Sequence, residues 1–392
     1  MKRSILLTLL LLVACDGDSG MLTGTPLTQL TTKVAHTVDL ADRRLAPYFW
    51  LSPDGTKLLT LTISGVQAML YDLQSDKGQP LDLGVDSIDP ASISFAPDSG
   101  SILYSEDFLR QARQSDVHLY DLKLHKATTL TSFRRNTPSS SHKQAELARF
   151  AAWSPLWSVD GKAIYYASMD EQGYAIYSLP RYGNEAAHKS FALGQSEGLV
   201  TSFGLTTAGK RLVYVLATSK AGLAGVYLWQ GAGVGRQLLA DPQAANLRVV
   251  GEIALLEEQA GEFVSSNKLA STLSLEAGRE GERVFIKPFP IATTNTPPEV
   301  IAGASTHAAT WSPDGKLAAY VTDNKAIRSQ PAHSIWLYDP ASKQAAMVYQ
   351  ATGSSSEREL LPEQAALTWS AANTLAVNGE PGKIVILQLA KK

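Results

Sequence analysis

Trp311-Ser312-Pro313-Asp314-Gly315-Lys316-Leu317-Ala318-Ala319-Tyr320 is the stretch whose pattern decides the fold. A bulky residue ends one extended run, and an apolar run opens after Lys316. Between them Pro313 presets φ for the first turn position. The Asp314 side chain can bond its own backbone, and Gly315 accepts the positive φ that closes a hairpin. The pattern recurs: Leu51-Ser52-Pro53-Asp54-Gly55 and Trp157-Ser158-Val159-Asp160-Gly161 match it closely. Phe95-Ala96-Pro97-Asp98-Ser99-Gly100 reads as a copy with one residue more in its turn. Leu205-Thr206-Thr207-Ala208-Gly209 and Trp369-Ser370-Ala371-Ala372-Asn373 are weaker copies.

Downstream of most copies lies a third extended run ending in Tyr-Asp: Met69-Leu70-Tyr71-Asp72, His118-Leu119-Tyr120-Asp121 and Ile335-Trp336-Leu337-Tyr338-Asp339. A polar turn and a short fourth run, as in Lys126 to Leu130 or Ala345 to Tyr349, complete the unit. Four antiparallel strands per unit, repeated, predict an all-β fold, a single β-propeller. Asp54, Asp98, Asp160 and Ala208 lie roughly 44, 62 and 48 residues apart, and Asp314 follows after roughly 106, two periods with one turn motif lost. The hidden unit falls in Ala244 to Ser305, with Glu282 to Phe289 as its third strand. Seven four-stranded blades is the expected count; six or eight also fit the stretch where the motif is lost.

The last repeat has strands at Ala365 to Trp369, Thr374 to Val377 and Lys383 to Gln388, leaving one edge without a partner. An open edge invites aggregation. Lys33 to Leu40, with alternating Val34, His36 and Val38, belongs to no unit. It is expected to pair as the outer strand beside Lys383 to Gln388, so that the N- and C-terminal strands close one blade.

The Trp-Ser-Pro-Asp-Gly pattern resembles the repeat of TolB-type propellers, also found in the propeller domains of prolyl oligopeptidases. The resemblance covers nearly all of the chain from residue 33 and is strong at three copies. In that family these residues shape hairpins and carry no catalysis. TolB proteins have an α/β domain ahead of the propeller, for which this sequence has no room.

Met1 to Ala14, MKRSILLTLLLLVA, has a basic start and an apolar run too short to span a bilayer, the pattern of a secretory signal. Leu12-Val13-Ala14-Cys15 resembles the lipobox of bacterial lipoproteins. The resemblance implies cleavage before Cys15 and lipid on its sulfur. Two or three acyl chains, at about 0.8 kcal/mol per buried CH₂, make a firm membrane anchor. An Asp at the position of Asp16 resembles the signal for inner-membrane retention in enterobacterial lipoproteins. The expected organisation is therefore signal peptide 1–14, a Gly/Ser/Thr-rich flexible tether 15–32, and propeller 33–392. The expected location is the periplasmic side of the bacterial cell envelope.

Composition narrows the function classes. Thirty-five basic and 37 acidic residues give a formal charge of −2, no footprint for nucleic acid. Cys15 is the single cysteine, so neither an internal disulfide nor a multi-thiolate metal site is expected. The seven histidines are scattered without ligand spacing, and no cofactor is implied. Gly17-Asp18-Ser19-Gly20 looks like the nucleophile segment of trypsin-like proteases, but nothing indicates the fold that would activate it. Asp54, Asp98, Asp160 and Asp314 are expected to serve their turns rather than form a carboxylate ring. Phe95, Trp157, Trp311 and Trp369 are expected to wedge between blades as core.

Loop length points to where binding lives. Turns after the first and third strands share one end of the blades, and these are tight. Glu106 to Asp116, Phe133 to Arg149, Thr322 to His333 and Ala351 to Pro362 emerge at the other end. Two of these loops are basic, with Arg110 and Arg113 on the first and Arg134, Arg135, Lys143 and Arg149 on the second. The expectation is a lipid-anchored, non-catalytic interaction platform for another envelope protein, with those six residues as candidate contacts. The alternative is a small-molecule or glycan binding protein or enzyme with its site at the channel mouth.

Overall fold

The computed structural model describes residues 27–40, 48–61, 67–107, 115–131, 151–170, 172–182, 186–194, 198–206, 211–218, 220, 222–231, 233–240, 244–250, 253–260, 283–290, 306–323, 333–339, 341–350, 367–371, 373–380 and 382–391. A short 3-10 helix, Leu27–Gln29, leads into β1 (Leu30–Asp39). The first sheet is then β2 (Tyr48–Leu51), β3 (Lys57–Leu61), β4 (Ala68–Asp72) and β5 (Lys77–Leu81). The second is β6 (Ser94–Phe95), β7 (Ser101–Ser105), β8 (Val117–Asp121) and β9 (Lys126–Thr129). The third is β10 (Ala152–Trp157), β11 (Ala163–Asp170), β12 (Gly173–Pro180) and β13 (His188–Gly194).

The fourth sheet is β14 (Leu199–Leu205), β15 (Leu212–Ala217), β16 (Gly225–Leu228) and β17 (Arg236–Ala240). The fifth has three described strands, β18 (Ala244–Val250), β19 (Ile253–Ala260) and β20 (Arg283–Pro290). The sixth is β21 (Thr306–Trp311), β22 (Ala318–Asp323), β23 (His333–Asp339) and β24 (Gln344–Gln350). In the seventh, β25 (Leu367–Trp369), β26 (Thr374–Glu380) and β27 (Lys383–Lys391) are joined by β1, in the order β1-β27-β26-β25. Among the described residues all strand pairs are antiparallel, and six of the seven sheets have four strands.

The expected pairing of chain ends is present. Lys33 faces Gln388, Thr37 faces Val385 and Asp39 faces Lys383, with a bulge between Val34 and His36. The strand reaches further back than its alternation suggests. Leu27 and Leu30, assigned to the tether on composition, are buried in a cluster with Leu337, Leu387 and Leu389, and that burial orders the residues between them.

The core lies between sheets. One cluster joins the first and second sheets through Leu59, Leu70, Ile102 and Tyr104. Others join the second to the third through Leu103, Val117 and Ile164, and the third to the fourth through Ile176, Phe203 and Tyr214. Val213 and Leu247 link the fourth to the fifth, and Ile335 and Leu375 the sixth to the seventh. Val38, Phe49, Leu58, Ile384 and Ile386 join the seventh to the first, and β2 packs on β25 and β26. β20 packs on β21 across the remaining junction. Each sheet is thus covered on its two faces by its two neighbours, so β7 is buried throughout while the outermost strand β5 is exposed over its first four residues.

The repeated turn explains itself chemically. Ser52 Oγ donates to Asp54 Oδ1 (2.5 Å) and accepts from Lys57 N (2.9 Å), while Asp54 Oδ1 accepts from Thr56 N (3.0 Å). Ser158 with Asp160, and Ser312 with Asp314, repeat the arrangement at 2.7 and 2.6 Å. The glycines take the positive φ expected of them, 69° at Gly55 and 71° at Gly315. The turn after Phe95 is not longer, as the sequence suggested. Ala96 N bonds Ser101 O just as Ser52 N bonds Lys57 O, and Ser99, at φ 58°, occupies the glycine position.

Candidate functional site

The antiparallel order sends the connections β7–β8, β9–β10, β19–β20, β22–β23 and β24–β25 out of one end of the sheets, opposite the Ser-Pro-Asp-Gly turns. Between described strands, no connection that starts and finishes at the turn end exceeds seven residues. At the loop end, residues 261–282 join β19 to β20, a long connection inside the hidden unit that sequence reading did not single out. Arg110, Arg113, Arg134, Arg135, Lys143 and Arg149 lie outside the described residues, as do Cys15 and Asp16. The stems that carry the basic loops are described.

Those stems hold a buried polar network. Glu106 (1% exposed), Asp116 (3%) and His118 (6%) flank the departure of residues 108–114. Glu106 Oε2 accepts from Asp116 N at 3.1 Å, and its backbone carbonyl accepts from Ser115 Oγ at 2.9 Å. Thr131, where residues 132–150 leave, donates to Asp116 Oδ1 (2.5 Å) and accepts from Val117 N (3.0 Å). His118 Nε2 stands 4.0 Å from Glu106 Oε1, and its Nδ1 is 3.2 Å from Thr129 Oγ1. Tyr104 stacks on the imidazole at 5.2 Å and donates its hydroxyl to Leu83 O. Burial, with the charges of Asp82 and Glu106, pushes the Tyr104 phenol above its usual range.

Nearby, Asp89 caps the 3-10 helix Pro90–Ser92 by accepting from Ala91 N at 3.0 Å. Burial raises its carboxyl to about 6 against that hydrogen bond, and the charge of Asp107 adds to the rise. Ser92 Oγ accepts from Ser105 N at 2.8 Å, tying the start of β6 to β7. Chemically the network braces: the carboxylates of Glu106 and Asp116 accept from backbone and hydroxyl donors, so both long loops start from fixed stems. The described residues hold no group of three or more His, Cys, Asp or Glu able to bind a metal ion.

The other candidates fall where turn and core chemistry put them. Phe95, Trp157, Trp311 and Trp369 are at most 9% exposed. The Asp54, Asp160 and Asp314 carboxylates accept from their own turns, which holds those of Asp54 and Asp160 below the usual carboxylate range. Asp98 keeps the bond from Gly100 N of its own turn but lacks the serine. Its turn has Ala96 where the others have serine, and Arg181 of the next sheet donates to it instead, Nη1 to Oδ2 at 2.6 Å and Nη2 to Oδ1 at 3.2 Å. The missing serine was the one signal in the sequence that this carboxylate had work elsewhere.

No family model and no curated protein matches the chain. Solved structures resemble it. Hydrazine synthase of Kuenenia stuttgartiensis aligns with a TM-score of 0.53 at 14% identity, over 90% of this chain and 98% of that one. A chain of a mitotic checkpoint complex gives 0.50 at 11% identity, over 90% and 94%. TolB of Acinetobacter baumannii gives 0.42 at 15%, over 78% and 65%. Identities this low speak for architecture alone. The fold is a β-propeller. Within such a propeller the loop end is the surface where the longest connections and buried, hydrogen-bonded stems coincide.

Proposed function

We propose that the seven sheets are blades of one closed propeller of TolB type, lipid-anchored in the cell envelope through Cys15, which presents its loop end to another envelope protein without catalysis. One observation carries the reading: the long returning connections leave the same end of the sheets, from stems locked by Glu106, Asp116 and Thr131. Closure is supported by the pairing of β1 with β27 and by the cluster joining the seventh sheet to the first. The TolB assignment rests on the Trp-Ser-Pro-Asp-Gly repeat. The anchor and its place on the periplasmic side of the inner membrane rest on Leu12 to Cys15 and on Asp16.

Arg110, Arg113, Arg134, Arg135, Lys143 and Arg149 give the loop end its basic character, which suits an acidic protein surface. Replacing Arg134, Arg135 and Lys143 by Glu is expected to reduce partner capture in a pull-down from membranes while the melting temperature stays unchanged. The difference from wild type shrinks at high salt, where charges beyond about 8 Å are screened. Unchanged recovery of every partner moves the site away from these loops. The anchor is tested separately by labelling cells with an alkynyl fatty acid. Wild type takes up label and Cys15→Ala does not.

A further inference from the structure

The turn end has its own exposed apolar surface. Among the described residues, Leu124 (69% exposed), Val159 (67%), Tyr182 (65%) and Val234 (48%) are large apolar side chains at tips of the second, third and fourth sheets. All four occupy turns between first and second or third and fourth strands. Tips usually carry polar residues, and isolated exposure needs no explanation. Here the tips are fastened together.

Arg181 is the fastener. Besides Asp98 it donates to Ser101 Oγ at 2.9 Å, and its guanidinium lies 5.1 Å from the Trp157 ring and 4.9 Å from that of Tyr182. Gly161, in the same turn as Val159, packs so closely that a Cβ there would come within 3.2 Å of Pro97 Cδ. Tyr182 and Val159 are thus held beside the turn of the second sheet. Around them Lys123, His125 and Lys126 flank Leu124 and are exposed, and Lys162 is 85% exposed beside Asp160. The local carboxylates, Asp98, Asp121 and Asp160, accept hydrogen bonds from N–H groups of their own turns. The outward surface is apolar tips among exposed Lys123, Lys126 and Lys162 and the turn carboxylates, and such tips insert into a headgroup layer while the lysines meet anionic lipid.

We propose that this turn end docks on the surface of an anionic lipid bilayer, leaving the loop end facing away. The path of the chain selects lipid over other occupants, and this step rests on the anchor reading of Cys15. β1 begins at Leu30 opposite Lys391, so the chain enters the fold at the turn end. The residues from Cys15 to Leu30 span at most about 50 Å when fully extended. An acylated Cys15 therefore joins the fold from the turn-end side and brings that end within reach of the membrane.

The test uses the chain from residue 15 with Cys15→Ser, made without the leader, so that every described strand is kept and no lipid is attached. Its sedimentation with vesicles of phosphatidylcholine alone is compared with vesicles containing phosphatidylglycerol. Binding to the anionic vesicles is expected, weakened by salt, and reduced about tenfold by combined Leu124→Ser, Val159→Ser and Tyr182→Ser at unchanged melting temperature. No binding to anionic vesicles, or binding indifferent to the substitutions, overturns the proposal. So does a substitution-sensitive dimer in sedimentation velocity, which makes the patch a contact between copies. Fatty-acid label absent from Cys15 with vesicle binding intact removes the anchor and leaves the docking surface standing.

Discussion

Asp98 and Arg181 show how one missing side chain redirects another. In the turns with Ser52, Ser158 and Ser312 the serine hydroxyl occupies the aspartate. Ala96 offers none, and Arg181 takes its place from the neighbouring sheet. Arg181→Ala is expected to cost about 2 kcal/mol in urea unfolding, because charge-assisted bonds from a buried guanidinium are lost while Asp98, 59% exposed, can rehydrate. Arg181→Lys should recover little, since an ammonium cannot fork across Asp98 and Ser101.

Asp89 gives a pH signature with the opposite sense to a salt-bridged acid. Its carboxyl is raised from 3.8 to about 6, so the native state binds more protons than the unfolded chain in that window. Stability from this group is full below the unfolded value and is lost as pH rises through about 6. Asp89→Asn, which keeps an acceptor for Ala91 N, should be more stable than wild type by about 2 kcal/mol at pH 7, and the gain should vanish near pH 4. Equal differences at both pH values would contradict the assignment.

At the scale of elements, β1 is the strand with most at stake. It covers an edge of β27, and Leu30 and Val38 complete clusters on both sides of the seventh sheet. Deleting residues 27–40 should lower the melting temperature by about 10 °C or more, since an edge is bared and two cores lose side chains. An unchanged melting curve would mean that β27 does not depend on its partner. The hairpins have a smaller lever: Ser312→Ala removes the acceptor for Lys316 N and Leu317 N and should cost about 1 kcal/mol, read by the same unfolding curve.

For the whole molecule, the position of the core between sheets makes stability a property that neighbouring sheets share. Leu103→Ala, between the second and third sheets, and Ile386→Ala, between the seventh and the first, should each cost about 3 kcal/mol. Both variants should unfold in one transition, because each sheet is covered on two sides. A separate early transition in Ile386→Ala alone would show that the junction of first and last sheets is a seam.

What the sequence determined by itself was local. Pro, Asp and Gly fix a turn by their own torsions and hydrogen bonds, so the hairpins at Asp54, Asp160 and Asp314 were legible, and their spacing set the period of the repeat. The alternation of Val34, His36 and Val38 marked an unpaired strand, and the bare edge at Lys383 to Gln388 named its partner. Tertiary structure alone decided the rest. The burial of Glu106, Asp116 and His118 depends on strands 10 or more residues apart in sequence meeting at one end of a sheet. The reach of Arg181 to Asp98 crosses 83 residues. Leu27 and Leu30 became core because β23 and β27 covered them, and composition records only their polar neighbours. Short-range chemistry is written in adjacent residues, whereas burial is set by whatever the fold brings alongside.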